Sequence, residues 1–189
     1  MNSSADLEAA LADHFGHRPA RASVSFVGVD PIDVLRFEPI PGERAYVSSG
    51  MSRHPMTGAD AAVVASDGPR AELLLHLLDP SDRFADVWRR VALLAAAPAV
   101  EGVVYVPGMT VEIGEPLVPG SHCVGVVVSA SPVGSVPTAA GPVDVLQITP
   151  ATSNELAWAR VRGAAELEDR WRASGTALAD LTRPSVSLD

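Results

Sequence analysis

Apolar residues first recur at Leu7, Leu11 and Phe15, one helical turn apart, and this spacing predicts a helix over residues 6–15. From residue 22 the period shortens to alternation. The runs "ASVSFVGV" (22–29), "DVLRFEPI" (33–40) and "RAYVSSG" (44–50) read as short strands of a meander, separated by Asp30-Pro31 and Pro41-Gly42, which are turn chemistry. "AAVVAS" (61–66) and "AELLLHLL" (71–78) extend the series across Asp67-Gly68-Pro69. The second of these is continuously apolar, as a strand buried on both faces would be.

A helix is predicted over 80–97, with Asp79 as N-cap, Pro80 at the first helical position and Asp82 in the first turn. Phe84, Val87, Trp88, Val91 and Leu94 or Ala95 share one face of it, and Pro98 is expected to stop it. Gly and Pro then become frequent. "MTVEIGEPL" and "SHCVGVVVSA" are predicted strands around Val118-Pro119-Gly120, while "SASPVGSVPTAAGPV" (129–143) is the most loop-like stretch of the chain. The strand "VDVLQIT" (143–149) leads into a second strong helix, opened by a Thr152–Glu155 capping box and interrupted by Gly163 at a cost of about 1 kcal/mol relative to alanine. A short last helix, "TALADL", precedes a polar tail.

A chain of 189 residues buries one substantial core, so a single domain is expected. The predicted divisions are 1–19 (N-terminal helix and leader), 20–175 (the α/β domain) and 176–189 (short C-terminal helix and polar tail). A mean hydropathy of +0.19 speaks against wholesale disorder, and the longest apolar runs fall short of the roughly 20 residues that cross a bilayer. The start lacks the basic flank and continuous apolar stretch of a signal peptide, which makes the cytoplasm the expected compartment and a membrane an unexpected partner. Cys123 is the only cysteine, so neither an internal disulfide nor a multi-cysteine zinc site can form within one chain. The net charge of −9 repels a phosphate backbone, and nucleic acid is not an expected partner. Every basic residue is arginine, which removes lysine Schiff-base chemistry and the phosphate-loop lysine.

Candidate chemistry concentrates in "RAYVSSGMSRHPM", where Ser48, Ser49 and Ser52 surround Gly50 and His54 follows. A nucleophile elbow needs G-x-S-x-G on a strand-to-helix turn; here the second glycine is missing and a proline follows. The alternative is a turn whose hydroxyls satisfy backbone groups. The five histidines, His14, His17, His54, His76 and His122, form no H-x-x-x-H or H-E-x-x-H pattern, and His122 beside Cys123 reads as strand. No metal or other cofactor is expected. Among the acidic residues, Glu72 and Asp144 stand out because each opens an apolar strand and could face the same turn as Arg53.

Two stretches together resemble the suppressor of fused family in its compact bacterial form. One is "YVSSGMSRHPM" followed by "RAELLLHLLDP"; the other is "VDVLQITPATSNELAWARVRGAAELEDRW", and the resemblance spans roughly residues 20–175. It implies a single-domain α/β (α+β) fold with a mixed, largely antiparallel sheet flanked by helices. It also implies no established enzymatic activity and a role in holding another protein. For bacterial members it implies an immunity or antitoxin protein that neutralises, by stoichiometric binding, a toxin encoded by a neighbouring gene. The candidate partner-binding residues are then Ser49, Gly50, Met51, Ser52, Arg53, His54 and Met56, with Glu72. Two competing expectations are a small serine hydrolase using Ser52 or Ser49 with His54, and an adaptor in a regulatory or secretion assembly.

Overall fold

A computed structural model describes residues 3–61 and 67–188. The chain opens with α1 (Ser3–Phe15), then β1 (Ala20–Phe26), β2 (Val29–Phe37), β3 (Glu43–Ser49) and β4 (Ala71–Leu78). It continues through α2 (Trp88–Glu101), β5 (Thr110–Glu112), β6 (Gly125–Thr138), β7 (Gly141–Ala151), α3 (Ser153–Arg162) and α4 (Ala164–Ser174). The strands form one seven-stranded sheet in the order β1-β2-β3-β4-β7-β6-β5. Among the described residues only the β4–β7 pair is parallel, as expected of strands joined by a crossover through α2 rather than by a hairpin. The fold is therefore single-domain α+β with a mixed, largely antiparallel sheet.

The central strand β4 is buried on both faces, which is why it reads as a nearly continuous apolar run. Leu73, Leu75 and Leu77 meet Val91, Ala92 and Ala95 of α2 on one side. On the other side Leu74 joins Leu7 and Leu11 of α1 over Leu35, Phe37 and Val47. A third cluster of Val127, Leu156, Leu167 and Trp171 seats α3 and α4 on the far end of the sheet. Among the described residues no helix is long and apolar enough to cross a membrane.

Five local expectations change. Asp30-Pro31 does not separate strands: Gly28 takes the turn with φ 77°, and Pro31 lies inside β2 beside a register shift opposite Val24–Phe26, where a missing N–H is tolerated. The helix expected from residue 80 begins as α2 only at Trp88, because the Asp79 carboxylate accepts from the N–H groups of Arg83 and Phe84 and caps a separate turn. Pro98 does not stop α2, which runs on to Glu101. A proline at 98 removes the donor for the Leu94 carbonyl, and the Tyr105 hydroxyl supplies that bond instead at 2.8 Å.

The stretch 129–143 is not a loop. Only Ala139 and Ala140 turn between β6 and β7; the rest is strand, with an irregularity between Ala130 and Ser135 that absorbs Pro132 and Gly134. Burial of Val136 and Val143 beneath α1 overrides the local composition. Gly163 divides the second strong helix into α3 and α4, and the expected helix "TALADL" is absent. Residues 177–186 run instead as a strap of turns, hydrogen-bonded from Leu78 N–H to the Ala179 carbonyl and from His122 N–H to the Leu181 carbonyl. The expected strand "AAVVAS" falls at Ala61, which lies in no regular element, and at 62–66, outside the described residues.

Candidate functional site

At the end of β3 the chain leaves the sheet through Gly50 and makes one turn of 3-10 helix, Met51–Arg53. Gly50 has φ 141°, and a Cβ there would lie 3.1 Å from the Pro31 carbonyl oxygen, so both dihedral and space require glycine. The turn is organised by Glu72, which opens β4 and is 0% exposed. Its Oε1 accepts from the Gly50 N–H at 2.8 Å, the Ser52 N–H at 3.0 Å and the Ser52 hydroxyl at 2.7 Å. Its Oε2 accepts from the Ser48 hydroxyl, whose oxygen in turn accepts from the Leu73 N–H at 2.9 Å. A buried carboxyl group is thus held entirely by neutral donors from one turn. Arg70 closes the far side, donating to the carbonyls of Ser52 and Arg53 at 2.8 and 2.7 Å.

This frame sorts the candidate residues into two groups. Ser49, Gly50, Met51, Met56 and Glu72 are buried and build the turn. Met51 and Met56 are part of the main core beside Ile32 and Tyr46. Ser52 is half-buried, while Arg53 and His54 are exposed. Arg53 donates to the Pro31 carbonyl, and the His54 imidazole, 76% exposed, meets the Asp30 carboxylate at 3.3 Å. Beside them lies a cleft of about 510 Å³, floored by Ile32, Met51, Ala95 and Pro98 and rimmed by Asp30, His54 and Pro55.

The serines and the histidine do not converge as a nucleophile and base. The Ser48 and Ser52 hydroxyls both donate to Glu72, and Ser49 is buried in β3. His54 turns to Asp30. Asp144, expected to face this turn, lies exposed at the start of the β7 pairing, with its N–H on the Arg70 carbonyl.

A second buried carboxylate was visible in the sequence only as a helix cap. Glu155 completes the capping box by accepting from the Thr152 N–H at 2.8 Å, yet it also accepts from the Trp171 indole at 3.1 Å and the Val186 N–H at 2.9 Å. Arg183, its side chain 3% exposed, forms a two-pronged ion pair with it at 2.7 and 2.9 Å. Burial alone would raise the carboxyl pKa; the guanidinium and the N–H donors outweigh it and hold Glu155 below the ordinary carboxylate range. No sequence spacing could announce a pair separated by 28 residues through an irregular strap.

Elsewhere, burial lowers the His76 imidazole and pushes the Cys123 thiol up to about 11, which leaves that thiol protonated and unreactive at neutral pH. Among the described residues no three His, Cys, Asp or Glu side chains are grouped to hold a metal ion.

The family model for the suppressor of fused protein matches residues 28–184. Among solved structures, the chain is similar to a suppressor of fused homologue from Neisseria gonorrhoeae FA 1090, with a TM-score of 0.72 and 19% identity over 99% of this chain and 98% of that one. It is similar to a chain of the Sufu–Fu complex, again with a TM-score of 0.72, at 16% identity over 97% of this chain and 91% of that one. Drosophila Suppressor of Fused gives a TM-score of 0.67 and 16% identity, covering 97% of this chain and 51% of the longer fly protein. No curated sequence matches the chain.

Proposed function

The chain belongs to the suppressor of fused family, a family of protein-interaction modules, and from that premise we propose that it is a stoichiometric binder of the immunity type. Its partner is a basic toxin domain encoded nearby, and the exposed rim of the Ser48–Met56 turn carries Ser52, Arg53 and His54 into the contact. The observation that supports this reading is the contrast within the turn. Glu72 and Arg70 fix its backbone from below, while Arg53 and His54 project beside an apolar cleft. Such preorganisation lowers the ordering cost of binding, and a net charge of −9 accelerates association with a basic surface. Glu72, Gly50, Ser49, Met51 and Met56 act here as the scaffold of the contact.

The test is affinity isolation of the tagged chain from its native host, followed by expression of the recovered protein alone. The expected result is a near-stoichiometric partner that arrests growth by itself and is neutralised by co-expression of this chain. Neutralisation should fail with the Arg53→Ala/His54→Ala variant. A partner that is harmless alone would replace immunity by an adaptor role. Ester hydrolysis lost in Ser52→Ala would replace both by the hydrolase.

A further inference from the structure

Three of the five histidines gather where α1 ends. Phe15 stacks on Phe37 at 4.6 Å and lies 6.0 Å from the His76 ring, over a row that runs Phe37, Ala45, His76 across β2, β3 and β4. His14 meets Phe15 edge-on at 4.9 Å, and His17 meets Phe37 in the same way at 5.7 Å. Gly16, with φ 78°, lets the chain leave the helix between Phe15 and His17.

The His17 ring is held in one protonation state. Its Nε2 accepts from the Glu38 N–H at 2.9 Å, and its Nδ1 lies 3.0 Å from the Phe15 carbonyl oxygen, which can only accept. Nδ1 therefore carries the proton and Nε2 the lone pair, so only a neutral imidazole makes both bonds. His76 is half-buried and shares with His14 a cleft of about 380 Å³, whose lining includes Leu74, Gln147, Thr149 and Leu178 and, among the described residues, no carboxylate. Burial lowers the His76 imidazole; Glu43 of β3 opposes this, and His14 adds to it. The other charged groups here are Asp13 and Arg18, both exposed, and Glu38, whose carboxylate is drawn away to Arg44 at 2.9 Å. A base held neutral by folding loses stability as pH falls below its ordinary value, 6.5 for this imidazole.

We propose that His14, His17 and His76 form an acid-operated latch on the C-terminal turn of α1, which opens the link from α1 to β1 when they are protonated. A proton on His17 Nε2 occupies the position into which the Glu38 N–H points, so donor faces donor and the ring must turn away. Charge on His76 and His14 gathers on both sides of Phe15 and works against its seat over the sheet. The opening is local. Leu7 and Leu11 are fully buried and make no contact with this cluster, so the first turns of α1 stay in place. The latch is independent of the contact proposed at Arg53 and His54 and of the nature of the partner.

The experiment follows amide hydrogen exchange of the full chain by NMR at about pH 7.5 and about pH 5.5, the span over which histidines titrate, with rates corrected for the intrinsic effect of pH. The expected result is a loss of protection of about five- to tenfold at the Glu38 amide and at residues 14–18, the scale of one hydrogen bond. Leu7, Leu11 and the amides of β3 and β4 should keep theirs. Glu155 does not interfere, because its response lies below pH 4.5. His17→Gln, whose amide supplies a donor and an acceptor that acid does not alter, should hold Glu38 equally protected at both pH values. His76→Phe should lose less protection than the parent, because one proton fewer drives the opening. The proposal is overturned if Glu38 protection is independent of pH, if His17→Gln responds as the parent does, or if His76→Phe leaves the response unchanged. A loss shared in step by β3 and β4 would equally overturn it, in favour of general acid destabilisation.

Discussion

Glu72 and Glu155 are both 0% exposed, yet one is held by neutral donors and the other by an arginine. Glu72 gathers hydroxyls and N–H groups from a single turn, Ser48 to Ser52, and fixes the shape of a surface loop. Glu155 gathers groups from α3, α4 and the C-terminal strap, and so ties the chain end across the body of the fold. The difference shows what a buried carboxyl group can accomplish. With neutral donors alone it specifies local geometry; with a distant cation it closes tertiary structure, at the risk of a large loss if either partner is removed.

The comparison breaks most visibly at Arg183. Arg183→Ala leaves Glu155 buried and unpaired and is expected to lower unfolding stability by about 3–5 kcal/mol, measured by urea denaturation. The double variant Glu155→Gln/Arg183→Met should recover a substantial part of that loss, because no charge is then left uncompensated. Should Arg183→Ala prove silent, the strap is not fastened by this pair.

Glu72→Ala comes next, at about 2–4 kcal/mol, since it strands several buried donors that each cost about 1–3 kcal/mol. Glu72→Gln keeps an acceptor for Gly50 and Ser52 and lets its amide donate to Ser48, so about 1 kcal/mol is expected. An equal loss in the two variants would show that charge, rather than acceptor geometry, holds the turn.

Acid sharpens the contrast further. The folded-state pKa of Glu155 lies below its ordinary value of 4.5, so its contribution is complete above that value and is lost as pH falls through the lower folded one. Melting temperature should therefore drop on acidification below pH 4.5. The slope should be shallower in Glu155→Gln/Arg183→Met, and an unchanged slope would assign the acid sensitivity to other groups. The smallest effect on stability belongs to Arg53→Ala/His54→Ala, within about 0.5 kcal/mol of the parent because both side chains are exposed. The same variant should show the largest loss of partner binding by calorimetry.

Much of the site was legible because its determinants are local. The glycine after β3, the hydroxyls around it and a glutamate opening the next apolar strand pointed to an organised turn, and Glu72 does organise it. Burial was less legible. Ser49, Met51 and Met56 sit between polar residues in sequence, yet each is covered by elements remote along the chain, so only Ser52, Arg53 and His54 remain at the surface. The Thr152–Glu155 box was evident from spacing alone, whereas Arg183 resembled any tail arginine.

By itself the sequence determined the periodic elements: the spacing of Leu7 and Leu11, the alternation in β1 to β3, the unbroken apolar run of β4 and the capped start of α3. These depend on neighbours within one turn or one strand, where the chain's own chemistry decides. Tertiary structure decided the rest. It carried α2 past Pro98 by lending the Tyr105 hydroxyl to the Leu94 carbonyl, drew a Pro- and Gly-rich stretch into β6 and β7 beneath α1, and turned the C-terminal residues into a strap locked by Arg183. In each case a hydrogen bond or an apolar contact from a distant segment outweighed a local preference of about 1–3 kcal/mol, and no window of sequence contains both partners.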